Sequence, residues 1–243
     1  MIDYKTFLKR IILQEGYLLH RNRDSKIIYY HDVGHRYTDM GTEMKLIRQH
    51  FEVVRSQGFV FVDEIAQNKN QIMVCFDDGW AGLYEAKDFF IQERVFPTVF
   101  IAVDLIGIPG YLTLTQILEL QDMGFHFEGH TWSHEDLTTF DDAGLIHELR
   151  DSREELSRLL KKEVKALCFP KGRFSDKVCK IADDSGYEKL YSSISGGYYD
   201  LIESKRLICR NLVQTLNPWE FKRRIMSTSE LLVRRNIQQH YQR

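Results

Sequence analysis

The chain has 243 residues, with 33 Lys and Arg against 35 Asp and Glu and a formal net charge of −2, so no charge excess advertises a nucleic acid or an anionic surface as partner. At 43% hydrophobic and 12% aromatic residues, with 15 Gly and 4 Pro, the composition excludes disordered and collagen-like chains. The length is near the upper end for one hydrophobic core, which leaves one large domain or two small ones.

Residues 4–20 carry an amphipathic helical pattern, broken by Lys9, Arg10, Gln14 and Glu15, with no small-residue cleavage site behind it. They do not read as a secretory signal, and no later run approaches the roughly 18 apolar residues that span a bilayer. Cys75, Cys168, Cys179 and Cys209 lie far apart without a CxxC pair. That spacing disfavours a disulfide framework and a thiolate zinc knuckle, and the cysteines read as small buried hydrophobes of a reduced, cytoplasmic protein.

From residue 27 onward, short β-type runs alternate with helical-period segments. The strands are expected over 27–31, 72–76, 98–103, 125–128, 165–169, 189–194 and 207–213. Helices are expected over 42–57, where Leu46, Ile47, Phe51 and Val54 share a stripe ended by Gly58, and over 80–94, 115–123, 141–161 and 175–185. Alternating βα units imply an α/β fold with a mainly parallel sheet. A closed βα barrel and an open doubly wound sheet suit the pattern equally. The polar end, 218–242, reads as helix packed outside the sheet. Without internal repeats or Gly/Ser linkers, one domain over 1–243 is expected, with a core at about 26–213 and helical extensions at 1–25 and 217–243.

Parallel α/β folds place ligands where strands end, and four strand ends carry polar residues. IMVCF runs into Asp77-Asp78-Gly79, FHFEG into the segment His130-Thr131-Trp132-Ser133-His134, KALCF into Pro170-Lys171-Gly172, and KIIYY into His31-Asp32. Two histidines four apart with a carboxylate from a neighbouring strand make a three-ligand catalytic zinc pattern. Taken alone, a histidine pair is more often one solvated ring and one bonded to a carbonyl, and Asp-Asp-Gly is more often a turn or helix cap.

In combination these motifs resemble the polysaccharide deacetylase family, the NodB-homology or carbohydrate esterase family 4 enzymes, over about 26–213. The resemblance implies a distorted (β/α) barrel of about seven parallel strands. CFDDG stands for the family's TFDDG, which implies Asp77 as catalytic base and Asp78 as metal ligand, and HTWSH implies His130 and His134 as the other ligands. The implied cofactor is a divalent ion, zinc by default, with cobalt or nickel as alternatives. Opposite side-chain directions of adjacent strand residues make one carboxylate that binds and one that works a plausible division. The Pro170-Lys171-Gly172 turn is the candidate for oxyanion and substrate contact, through the Lys171 backbone N–H.

The late Leu-x-His motif that supplies the family's acid is missing, because no histidine lies between His147 and His240, and the corresponding strand reads LICRNLV. YYHDV resembles the N-terminal tyrosine-histidine motif of the circularly permuted poly-β-1,6-N-acetylglucosamine deacetylase branch, which implies His31 as general acid. Cys168 stands where the proline motif usually has an arginine, as in branches that lack it. Glu128 shares strand parity with His130 and is either a further carboxylate near the ligands or a solvent-facing side chain, and Asp32 and His35 either orient His31 or belong to a loop. Trp80, Trp132, Tyr111 and Gly196-Gly197-Tyr198-Tyr199 are candidates for sugar-stacking walls or for core packing. Lys222-Arg223-Arg224 and Arg234-Arg235 read as a solvated helix face.

The expected activity is metal-dependent hydrolysis of the acetamide of an N-acetylated amino sugar in a saccharide or polysaccharide, releasing acetate. The alternatives are a carbohydrate O-acetyl esterase or small-amide hydrolase, and a carbohydrate-binding pseudoenzyme. A cytoplasmic saccharide precursor, or attachment to a membrane-associated saccharide pathway, is the expected setting.

Overall fold

The apolar runs form strands that are covered on both faces, which is why they read as near-continuous hydrophobic stretches rather than alternating ones. A computed structural model describes residues 4–19, 21–200, 207–227 and 237–242. Its main sheet comprises β1 (Lys26–Tyr30), β2 (Gln71–Phe76), β3 (Thr98–Ile101), β4 (His126–Gly129), β5 (Ala166–Cys168), β6 (Lys189–Tyr191), β7 (Leu207–Ile208) and β8 (Asn211–Leu212). The order is β7-β6-β5-β4-β3-β2-β1-β8, every pairing is parallel, and Val60–Phe61 flanks the start of β2.

The run expected as one strand over 207–213 is two strands at opposite ends of this order, separated by Cys209 and Arg210. One short segment therefore pairs with β6 on one side and with β1 on the other, and the sheet curls into a distorted barrel. This resolves the choice between barrel and open sheet, which pairing decides and periodicity does not.

Alternation along the strands separates two apolar regions. Ile28, Tyr30, Val74 and Phe76 face the surrounding helices, whereas Ile27, Tyr29, Met73, Cys75, Phe100, Cys168 and Tyr191 fill the barrel interior. The crossover helices follow the predicted periods with local breaks. Met44–Ser56 buries Ile47, His50, Phe51 and Val54. The 80–94 segment is divided into Gly82–Glu85 and Lys87–Glu93. The 141–161 segment contains a π turn at His147–Asp151 between Asp142–Ile146 and Ser152–Leu160. Thr113 and Gln116 form a capping box on Leu114–Asp122, and Asn217 caps Pro218–Met226, whose first residue is proline.

The segment expected as an outer helix over 218–242 also reaches the carboxyl ends of the strands, where Arg224 and His240 line a cleft. Pro218–Met226 is followed, beyond the undescribed 228–236, by a short helical turn at 237–240 and by Tyr241–Gln242, which pairs in parallel with Phe174–Ser175. Arg234 and Arg235 lie outside the described residues. Among the described residues no helix is long and apolar enough to cross a membrane.

Just past β1, Asp32–Val33 pairs with Gly41–Thr42. Gly82 must be glycine, since a Cβ there would lie 2.4 Å from Asp32 Oδ1 and 2.3 Å from the Val33 carbonyl. Asp32 is fully buried, and neither carboxylate oxygen has a well-aligned hydrogen-bond partner. Burial raises its carboxyl to about 7, against the opposing pull of the nearby Val33, Leu83 and Gly82 N–H groups. The native state then holds a proton that the unfolded chain releases near pH 4, so this group lowers stability progressively from about pH 4 to about pH 7. Asp32→Asn is expected to stabilise the protein by on the order of 1 to 3 kcal/mol more at pH 8 than at pH 5. Urea unfolding at the two pH values measures this, and an equal effect at both would exclude a buried ionisation.

Candidate metal and catalytic site

Parallel register brings the four motif-bearing strand ends together. Asp77 N–H donates to the Tyr30 carbonyl (3.0 Å), which sets Asp77 level with His31, and His130 N–H donates to the Ile101 carbonyl (2.8 Å). Asp77 continues the inward parity of Cys75. Asp78 reaches the same cleft by leaving the strand with φ 70°, so the expectation that neighbouring carboxylates point opposite ways does not apply beyond the strand. Thr131 and His134 are also left-handed, at φ 71° and 63°. Three such non-glycine residues around one point are backbone strain gathered at a site.

Asp78 Oδ1 lies 3.3 Å from His130 Nε2 and 3.0 Å from His134 Nε2. His130 Nδ1 donates to the Cys168 carbonyl (2.7 Å), an acceptor only, which leaves Nε2 as the lone-pair nitrogen of the neutral ring. The Trp80 indole N–H donates to Asp78 Oδ2 (3.2 Å), turning Oδ1 toward the histidines. Two imidazole nitrogens and one carboxylate oxygen, all within 4.8 Å of one another, fit a divalent ion of zinc type with positions left for water. Burial pushes the Asp78 carboxyl up, but the two histidines outweigh it and hold the group well below the usual carboxylate range.

The turn that carries these histidines is clamped from behind. Glu148, buried, accepts from the N–H groups of Trp132 (3.1 Å) and Ser133 (3.0 Å) and from the Ser133 hydroxyl (2.7 Å). It projects from the π turn, a helix irregularity that often marks functional sites. Its sequence signal was slight: a charged residue directly before the core residue Leu149.

Asp77 is held by a residue that motif reading passed over. Arg210, fully buried in the break between β7 and β8, donates from Nη1 to Oδ1 (2.6 Å) and from Nη2 to Oδ2 (2.8 Å). Arg210 also donates to the Ser192 carbonyl from Nε (3.1 Å) and to Cys168 Sγ (2.8 Å), and stacks over Tyr29 at 4.3 Å. An arginine thus reaches Asp77 from the break between β7 and β8, while Cys168, in the position where the family motif usually has an arginine, contacts it through Sγ. Burial raises the Asp77 carboxyl, and the Arg210 charge reverses that to leave it below its ordinary value. The signal was a lone arginine inside the apolar run LICRNLV.

His31 lines the same cleft, and its Nδ1 donates to Gln214 Oε1 (2.7 Å), leaving Nε2 to act. Asp32 and His35 do not orient it: Asp32 is buried beside Gly82, and the His35 ring faces Glu43 at 3.7 Å. Lys171 and Gly172 line the cleft as well, with Lys171 at φ 57° and its ammonium 2.7 Å from Glu135, whereas Pro170 is buried and absent from the lining. The cleft is about 490 Å³.

Other expected contacts fall elsewhere. Glu128 braces the sheet by accepting from the Lys165 and Ala166 N–H groups, both at 2.8 Å. Trp80 stacks on Tyr111 at 4.0 Å, Trp132 packs on His147 at 4.6 Å, and Tyr198 meets Tyr199 at 4.9 Å. None of these aromatics, nor Gly196 or Gly197, lines the cleft.

Residues 64–190 match the family model described as polysaccharide deacetylase. The polysaccharide-deacetylase homologue YxkH of Bacillus subtilis (strain 168) is 25% identical over 118 residues, which are 48% of this chain and 42% of that protein. An uncharacterised 30.6 kDa protein of Geobacillus stearothermophilus is 24% identical over 156 residues, 62% of this chain and 57% of its own. The match therefore spans less than two thirds of either relative. The Streptococcus pyogenes deacetylase PplD, solved in complex with acetate, superposes with a TM-score of 0.72 at 20% identity, covering 86% of this chain and 100% of that one. IcaB from Ammonifex degensii superposes at 0.70 with 16% identity, covering 85% and 99%. At these identities the structural likeness shows the shared fold, and with a family model matching just over half of its length, the chain belongs to the polysaccharide deacetylase family.

Proposed function

We propose that this deacetylase is a metal-dependent N-deacetylase that hydrolyses the acetamide of an N-acetylated amino sugar. The observation that carries the reading is the meeting of Asp78, His130 and His134 with Asp77 and His31 in one cleft. A divalent ion, zinc by donor set, would be held by Asp78, His130 and His134 and would supply Lewis acidity and a water acidified toward neutrality.

Asp77 is the base that accepts the proton of the attacking water. Held below its ordinary pKa by Arg210, it is ionised at neutral pH and aimed by two hydrogen bonds, while each oxygen keeps acceptor capacity. In its doubly protonated form His31 delivers the Nε2 proton to the departing nitrogen and is left as the neutral ring that keeps its Nδ1–H on Gln214. The turn at Lys171 offers that residue's backbone N–H to the developing oxyanion, while the Gly172 N–H is held by the Phe169 carbonyl (3.0 Å) and shapes the turn. An acid placed to protonate an amine favours an amide over an ester, because an alkoxide leaves with less help.

Acetate release from N-acetylglucosamine oligomers, compared with O-acetylated sugars, tests the reaction. Asp77→Asn and His31→Ala are each expected to lower kcat by at least about 100-fold with metal content near wild type. His130→Ala is expected to lose bound metal by elemental analysis. Full turnover in Asp77→Asn would sink the mechanism.

Arg210→Met leaves a buried carboxylate without its cation. It is expected to destabilise the fold by about 3 to 5 kcal/mol in urea unfolding and to lower kcat more than Arg210→Lys does. Unchanged stability in Arg210→Met would remove this pair from the fold's account.

A further inference from the structure

Lys222, Arg223 and Arg224 are consecutive, yet the helix Pro218–Met226 sends them to different surroundings. Arg223 lies over the Trp219 ring at 3.5 Å and donates to Gln14 Oε1 at 2.6 Å. Arg224 turns inward and lines the cleft that holds Asp77, Asp78, His130 and His134, so it does not belong to the solvated face expected from the sequence. Its Nη1 donates to Ser195 Oγ (2.9 Å), and its Nε is buried without any hydrogen-bond partner.

No carboxylate is committed to this guanidinium. Asp77 is already ion-paired with Arg210, and Asp78 faces the two histidines and Trp80. Glu220, one turn back on the same helix, pairs with Arg10 at 3.2 Å. Lys171, the other cation in the lining, has Glu135 at 2.7 Å. Among the described residues Arg224 has no ion pair, and although the residue is only partly buried its Nε is shut off from water with no acceptor, so a counter-charge arriving in the cleft would meet an uncommitted cation. A guanidinium fork matches the two oxygens of a carboxylate or phosphate.

We propose that Arg224, steadied by Ser195, is an anion subsite of the cleft, and that the preferred saccharide carries a carboxylate or phosphate beside its N-acetylated unit. This rests on the deacetylase reading for the orientation of the saccharide. It explains why a basic helix residue is spent facing the cleft rather than solvent. A cleft of about 490 Å³ shared by Arg224 and the ligand triad keeps that anion within a sugar unit or so of the reacting acetamide.

The test uses three disaccharides in which glucosamine is joined to glucose, to glucuronic acid or to glucose 6-phosphate. The N-acetylated forms report acetate release, and the free amines, which cannot turn over, report binding to the metal-loaded enzyme by calorimetry. At least one acidic member is expected to bind about tenfold more tightly than the neutral one, with the advantage shrinking as salt is raised. The comparison of glucuronate with phosphate identifies which anion is meant. In Arg224→Gln the acidic-to-neutral ratio is expected to fall to about one, with Arg224→Lys in between. Equal affinities in the wild-type enzyme would overturn the subsite even if Arg224→Gln failed to fold. An equal loss for all three ligands in a folded Arg224→Gln would also overturn it and make Arg224 a brace for the Ser195 loop. Absence of acetate from every disaccharide would count against the deacetylase reading, while the affinities would still decide the subsite.

Discussion

The buried pair of Arg210 and Asp77 joins the fold to the chemistry. Arg210 occupies the two-residue gap between β7 and β8, where the curled sheet meets itself. Its side chain points into the barrel, against Tyr29 and Phe100. Removing either charge strands the other in a region without water, so the pair is far more costly to break than to have. The same bonds that satisfy the arginine fix the direction and ionisation of the carboxylate at the bottom of the cleft.

Around that pair, irregular backbone performs the positioning. Asp78, Thr131 and His134 hold left-handed conformations that a free chain would avoid. They are held by groups with few alternatives: Glu148 on the Trp132 and Ser133 N–H groups, Trp80 on Asp78, and the Cys168 carbonyl on His130. The acceptors Glu148, Asp78 and the Cys168 carbonyl lie on buried residues and would be left unsatisfied if the turn relaxed. Local strain is thereby offset by hydrogen bonds reaching in from three different segments of the chain.

Legibility followed the range of the signal. Residues 72–76 and 27–30 are continuous apolar runs, and the strands Gln71–Phe76 and Lys26–Tyr30 lie within a residue or so of the predicted limits. Metal-ligand candidates were visible because Asp78, His130 and His134 are polar residues placed directly at strand ends. The single strand expected over 207–213 was not correct, because nothing local reveals that its halves pair with different neighbours. Glu148, Gln214 and Arg224 were missed or misplaced for the same reason. Their roles depend on which helix or loop packs over the strand ends, and charge clusters such as 222–224 look solvated until one member is seen turned inward.

The sequence by itself determined the alternation of strands and helices, the family, and the residue types at each strand end, because these follow from local hydrophobic period and short motifs. Tertiary structure alone decided that the sheet curls into a distorted half-barrel, that Arg210 rather than a proline-motif arginine holds Asp77, that Gln214 sets His31, and that Arg224 faces the cleft. Those are contacts between segments up to 183 residues apart. Their partners are selected by parallel register and by the need of each buried charge or polar atom for a counterpart, and neither is written in any local stretch of chain.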